Sequence, residues 1–141
     1  MVGSYQVYYS IGSGSCLSSD SLNVLVNPNP VANAGVDTFI CKNSSYLLNG
    51  VASGGTGTFL YAWTPTSSLS SSIIANPIAN PTTTTNYTFN VTDSKGCIAN
   101  DAILLEVKSL PTAIASDLTI CKNDSGIISV NAIPGGTYAY Q

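Results

Sequence analysis

The chain has 141 residues, room for one ordinary domain and slightly more, and 44% of them are apolar, enough to build a core. Only 8% are charged, against roughly 25% in a typical soluble domain, so the polar surface must be made from Ser, Thr, Asn and Gly. Four lysines, no arginine and seven acids leave a net charge of −3, which argues against nucleic acid as a partner, because phosphates need clustered cations. No apolar run approaches the roughly 20 residues of a membrane helix, so no membrane span is expected. The opening Met1-Val2-Gly3 also lacks the charged and apolar regions of a signal peptide, and any export signal lies elsewhere or has been removed.

In chain order, the segment Tyr5 to Val26 reads as a hairpin, followed by the proline-stiffened linker Asn27-Pro28-Asn29-Pro30. A short strand ends near Ile40-Cys41, and Tyr46-Leu47-Leu48 leads into another that stops at the Gly54-Gly55-Thr56-Gly57 loop. Phe59 to Trp63 is the next strand, ended by Pro65. The serine-rich stretch from Thr66 to Ser72 reads as a loop, and Pro77, Pro81 and the threonines from Thr82 to Thr85 keep the following connection extended. Tyr87-Thr88-Phe89-Asn90-Val91-Thr92 alternates apolar and polar residues, the period of a half-buried strand. Asp93-Ser94-Lys95-Gly96 is a turn, and Ala102 to Val107 completes a second hairpin before the linker Lys108-Ser109-Leu110-Pro111. No segment carries a capped 3.6-residue apolar period, so helix is not expected.

The cysteines at 16, 41, 97 and 121 recur with a period near 80: Cys16 to Cys97 is 81 residues and Cys41 to Cys121 is 80. Their surroundings recur with them. Thr38-Phe39-Ile40-Cys41-Lys42-Asn43 returns as Leu118-Thr119-Ile120-Cys121-Lys122-Asn123, and Pro30-Val31-Ala32 as Pro111-Thr112-Ala113. Gly54-Gly55-Thr56 returns as Gly135-Gly136-Thr137, and Tyr5 to Tyr9 aligns with Tyr87 to Val91. The expected organisation is the tail of one repeat (1–27), a complete repeat (28–108) and the head of a third (109–141). Roughly seven short strands within about 80 residues predict an all-β, two-sheet sandwich. Its expected core holds Ile40, Leu47, Tyr61, Trp63, Ile74, Tyr87, Phe89, Val91, Ile103 and Leu105, with Trp63 at the centre.

Three groups of residues carry a family resemblance: Ala32-Asn33-Ala34-Gly35-Val36-Asp37 with Ile40-Cys41; Tyr61-Ala62-Trp63-Thr64-Pro65; and Asn80 to Tyr87 followed by Val91-Thr92-Asp93-Ser94-Lys95-Gly96-Cys97. Together they resemble the PKD-like, immunoglobulin-like tandem repeats of large Bacteroidota surface proteins exported by the type IX secretion system. The resemblance covers nearly the whole chain. It implies an extracellular, cell-surface location, a structural or adhesive role in a stalk, filament or adhesin, and one cysteine pair per repeat, here Cys41 with Cys97. In a standard sandwich those two positions lie at opposite ends, and Cα atoms must come within about 7 Å to be bridged. The pairing therefore requires an unusual crossing of the first strand, and the connectivity stays open. Cys16 and Cys121 would have partners outside the segment.

The chemistry is defined largely by absences. With no histidine there is no usual triad or general base, and without a CxxC spacing there is no zinc ribbon or thioredoxin-like site, so no catalytic residue is assigned and no enzyme is expected. The Gly54-Gly55-Thr56-Gly57 run lacks the lysine and helix of a phosphate loop. No cofactor is expected, with calcium the one candidate: Asp37, Asp93 and Asp101 fall near predicted strand ends, where oxygen ligands can converge, although Asp93 as a plain turn cap and Asp101 as a solvated side chain are the favoured alternative. Regular cysteine recurrence favours disulfides over free thiols. Asp20-Ser21-Leu22 and, more loosely, Asp37-Thr38-Phe39 match an O-glycosylation pattern, placing candidate sites at Ser21 and Thr38.

Two function classes follow. In the first, the repeats are spacers whose partners are neighbouring repeats. If the 141 residues are a subunit in themselves, the tail hairpin of one copy completes the head strands of the next and a homopolymer results. If they belong to a longer polypeptide, that polypeptide supplies the missing strands. In the second class, loops Ser53 to Thr58 and Thr66 to Ser72 bind a glycan or protein ligand. Loop aromatics would favour binding, and Phe59 alone stands at one edge, so the spacer reading leads.

Overall fold

The structure, a computed structural model, describes residues 2–115, 119–123, 125–127 and 130–133. All regular elements among them are strands. In chain order these are β1 (Gly3–Ser13), β2 (Cys16–Val26), β3 (Pro30–Asn33), β4 (Thr38–Cys41), β5 (Tyr46–Leu47) and β6 (Val51–Gly54). There follow β7 (Leu60–Thr64), β8 (Ile78–Ala79), β9 (Thr85–Thr92), β10 (Ile98–Lys108), β11 (Thr112–Ala115) and β12 (Val130–Ile133).

Strands β3 to β10 build an immunoglobulin-like sandwich. One layer is the four-stranded sheet β4-β10-β9-β7, antiparallel except where β4 joins β10 in parallel. The other layer is organised by the segment from Tyr46 to Gly54. Its first half pairs with β8, extended by Leu48 N–H to the Pro77 carbonyl and Gly50 N–H to the Ala75 carbonyl; its second half pairs with β3. The change of partner falls at Gly50, where a Cβ would stand 2.7 Å from both the Ala75 carbonyl oxygen and the Phe89 ring. Glycine there lets the backbone touch the opposite layer.

The alternation read from β9 is what closes the sandwich: Tyr87, Phe89 and Val91 are fully buried while their neighbours point outward. Trp63, Leu48, Ala79, Ile103, Leu105, Ala34 and Ile40 complete the core. Trp63 stacks on Phe89 with ring centroids 4.6 Å apart, and half-buried Tyr61 also stacks with Phe89 at 5.6 Å. The Trp63 indole N–H donates to the Ile74 carbonyl at 3.1 Å, so the one polar atom of the ring is satisfied.

Three expectations are corrected here. Leu47 is 50% exposed and Leu48 takes the core position, because a one-residue shift in a strand changes its face. Ile74 is exposed and contributes its carbonyl to Trp63 rather than its side chain to the core. The stretch from Thr66 to Ser72 is not a free loop. Leu69 bridges Ala79, Ser70 N–H donates to the Ile78 carbonyl and Asn80 N–H to the Ser68 carbonyl, so it borders the sheet as a short edge.

β1 and β2 form a separate hairpin of eleven residue pairs, turning at Gly14-Ser15. Tyr9 stands opposite Asp20 and Val7 opposite Leu22, as Phe89 stands opposite Asp101 and Tyr87 opposite Ile103 in the sandwich. This register makes Val7, Tyr9 and Ile11 the counterparts of Tyr87, Phe89 and Val91, two residues along from the sequence alignment but on the same face. The shift arises because Gly14-Ser15 is a shorter turn than Asp93 to Cys97. β11 pairs with β12 antiparallel, as β3 does with β6.

Candidate functional site

The end of the sandwich where the chain enters is tied together by Asp93. Its Oδ1 accepts the N–H groups of Lys95 and Cys97, both at 2.9 Å, and its Oδ2 accepts Thr56 N–H at 2.8 Å. The Asp93 N–H in turn donates to the Cys97 carbonyl, and Gly96 N–H donates to the Asp93 carbonyl. Burial pushes the carboxyl's pKa up, but the backbone donors of Cys97, Thr56, Lys95 and Gly96 outweigh it and hold the group below its ordinary range. Loop and turn are thereby one unit: Ser94 N–H and hydroxyl both donate to the Thr56 carbonyl. A Cβ at Gly55, whose φ is +62°, would lie 3.2 Å from both the Asp93 carboxylate and Pro30, so linker, loop and turn meet at this point. The loop from Ser53 to Thr58 is engaged with the Asp93 turn and the linker, and Phe59 beside it packs against the core.

The other two calcium candidates are also backbone anchors. Asp101 Oδ2 accepts Ala34 N–H at 2.8 Å and fixes the end of β3 to β10. Asp37 Oδ1 accepts Leu104 N–H at 2.8 Å, just ahead of the parallel β4–β10 ladder. Each is committed to a different piece of backbone, and no group of three acids, cysteines or histidines is gathered among the described residues. Asp37, Asp93 and Asp101, the candidate calcium ligands, do not converge. Asp93 caps its turn and Asp37 immediately precedes β4, as read from the sequence, but Asp101 lies within β10, opposite Phe89, and is bonded to backbone rather than solvated.

No two of the four cysteines are bonded to each other. Cys41 stands opposite Lys108, at the last residue of β10, while Cys97 precedes Ile98, the first. Ten strand steps separate those ends, about 33 Å at the usual rise. The structure does not bring Cys41 and Cys97 together, for the reason that the standard sandwich already implied. Exposed Cys16 follows the β1–β2 turn, and exposed Cys121 lies in the counterpart of the Cys41 segment. At the Cys41 end, Lys108 Nζ lies 4.2 Å above the Phe39 ring.

Ser21 is exposed on β2, where its hydroxyl accepts from the Gln6 amide at 3.0 Å; Thr38 is half-buried at the start of β4. The hairpin read from Tyr5 to Val26 leaves an apolar face open. Val7, Tyr9, Ile11 and Leu22 are each more than half exposed, and Val7, Tyr9 and Leu22 line an open depression beside Asp20. The alternation of residues 5 to 11 was its signal.

No protein-family model and no characterised protein matches the chain. Among solved structures, it is similar to PcdhgB3 EC1-4 with 10% identity and a TM-score of 0.47, over 82% of this chain and 35% of that one. It is also similar to the extracellular cadherin domains 1-4 of protocadherin gamma B7 with 12% identity and a TM-score of 0.42, over 92% of this chain and 40% of that one. The chain thus spans well under half the length of either, and no residue's role is carried over from them.

Proposed function

We propose that the chain is a run of tandem immunoglobulin-like repeats, divided at residues 27/28 and 108/109, that serves as a non-catalytic spacer or adhesive segment outside the cell. The observation that carries this reading is the recurrence of backbone geometry at the spacing of the sequence repeat. Asn43 and Asn123, 80 residues apart, both take left-handed φ angles, 70° and 72°, directly after Cys-Lys. That conformation is unusual for a residue other than glycine, so its return at the counterpart position supports a repeated turn. The β3–β6 and β11–β12 pairings, and the shared Tyr9–Asp20 and Phe89–Asp101 register, support it further.

The spacer role is favoured over ligand binding because both proposed binding loops are engaged: one with the Asp93 turn, the other along β8. Low charge and Ser/Thr/Asn-rich surface fit a module whose contacts are mainly with its own neighbours. Type IX export and an adhesin as the parent protein belong to the same proposal, through the family resemblance. Brief proteinase K treatment of intact source cells tests the location, with loss of the protein expected and full protection counting against it. A glycan array probed with the chain tests the alternative; saturable binding to one glycan class would favour the binding module.

A further inference from the structure

The cysteine positions acquire a meaning at the joints between repeats. Within one repeat, Cys41 and Cys97 are held about 33 Å apart by the length of β10, a rigid separation. Across a joint the situation reverses. Lys42 N–H donates to the Lys108 carbonyl at 2.8 Å, so Cys41 sits beside the residue at which the chain leaves the sandwich. Three residues, Ser109-Leu110-Pro111, lead to β11, and they span at most about 10 Å. Pro111 is the counterpart of Pro30, and Pro30 meets the Asp93–Cys97 turn at Gly55. The cysteine at the entering end of a repeat therefore stands over the same joint as the Cys41-type cysteine of the repeat before it. Both positions are reachable: Cys41 is exposed and Cys97 partly so.

Resting on the repeat reading, we propose that the cysteine at the Cys41 position of one repeat forms a disulfide with the cysteine at the Cys97 position of the repeat that follows, stapling each joint. Under this rule no two of the four cysteines within these 141 residues are partners, in keeping with the absence of any bond between them. Formation requires a low-molecular-weight disulfide as oxidant. One thiolate attacks it and expels one small thiol; the second thiolate attacks the mixed disulfide and expels the other. Two cysteine thiols are oxidised, the small disulfide is reduced to two thiols, and the joint gains one S–S bond.

The test uses the exported protein, with free thiols blocked before digestion without reductant. Mass spectrometry should find the Cys97 peptide joined to a peptide of the Ile-Cys type, and the Cys41 peptide joined to one of the Gly-Cys or Ser-Cys type, never to each other. A Cys41–Cys97 bond within one repeat, or free thiol at both positions, overturns the staple. Cys41→Ser adds an independent readout. It should release one thiol, on the cysteine of the following repeat, and leave Cys97 blocked; release of Cys97 instead overturns the proposal. Limited proteolysis of the reduced protein checks the repeat reading separately, since resistant pieces of about 80 residues require the repeats but not the staple.

Discussion

Asp93 and Trp63 hold the sandwich in different ways. The Asp93 carboxylate satisfies three backbone N–H groups from two segments, so its charge is what joins turn to loop. Because its pKa in the fold lies below the ordinary 3.8, the stabilisation is present above about that pH and is lost as pH falls through the depressed value. Asp93→Asn should lower the thermal midpoint at pH 7, with the difference from wild type shrinking as both are acidified below pH ~3.8; a constant difference down to pH 2 would contradict the assignment. Trp63 acts through volume and stacking. Trp63→Ala should cost about 3–5 kcal/mol in urea unfolding, while Tyr61→Ala, losing only a half-buried ring, should cost clearly less. Equal losses would mean that the stack on Phe89 is not the centre of the core.

The strands sort into a covered set and an uncovered one. β9 and β10 have one face buried against the opposite layer, whereas β1 and β2, with the same register, leave theirs open. A two-stranded hairpin alone is marginally stable in water. Amide hydrogen exchange should therefore be orders of magnitude faster in β1–β2 than in β9–β10 at low protein concentration. Protection of the hairpin that grows with concentration would mean that a second copy covers it. By the same reasoning, a protein of residues 28–108 should unfold cooperatively, with a midpoint within a few degrees of the full chain. A non-cooperative transition would show that the first hairpin or the following segment belongs to the same fold.

At the scale of the whole molecule the joints decide shape. Pro28 is the residue through which stiffness can be tested, because Pro30 is buried at the end of the β3–β6 pairing and its replacement would disturb the sandwich itself. Pro28→Gly should shorten the largest dimension in small-angle scattering under reducing conditions. An unchanged distribution would show that the fastening of the linker to its own repeat, as in the Gly55 N–H bond to the Asn29 carbonyl, sets the geometry.

Sequence alone determined the all-β class, the strands with strict alternation and the central tryptophan, because period, turn residues and aromatic placement are local properties. It also made the counterpart positions of Cys41 and Cys121 legible, since repetition needs no coordinates. Tertiary structure decided what depends on the opposite layer: Leu48 rather than Leu47 inside, the edge made by residues 68–70, and three aspartates that anchor separate backbone segments instead of converging. The cysteines belong to the second group. Their spacing gives a period, and a standard sandwich already sets Cys41 and Cys97 at opposite ends, but whether the first strand crosses unusually is decided by the parallel pairing of β4 with the far end of β10. Distance in sequence carries no direction in space, and the direction of β10 is what separates them.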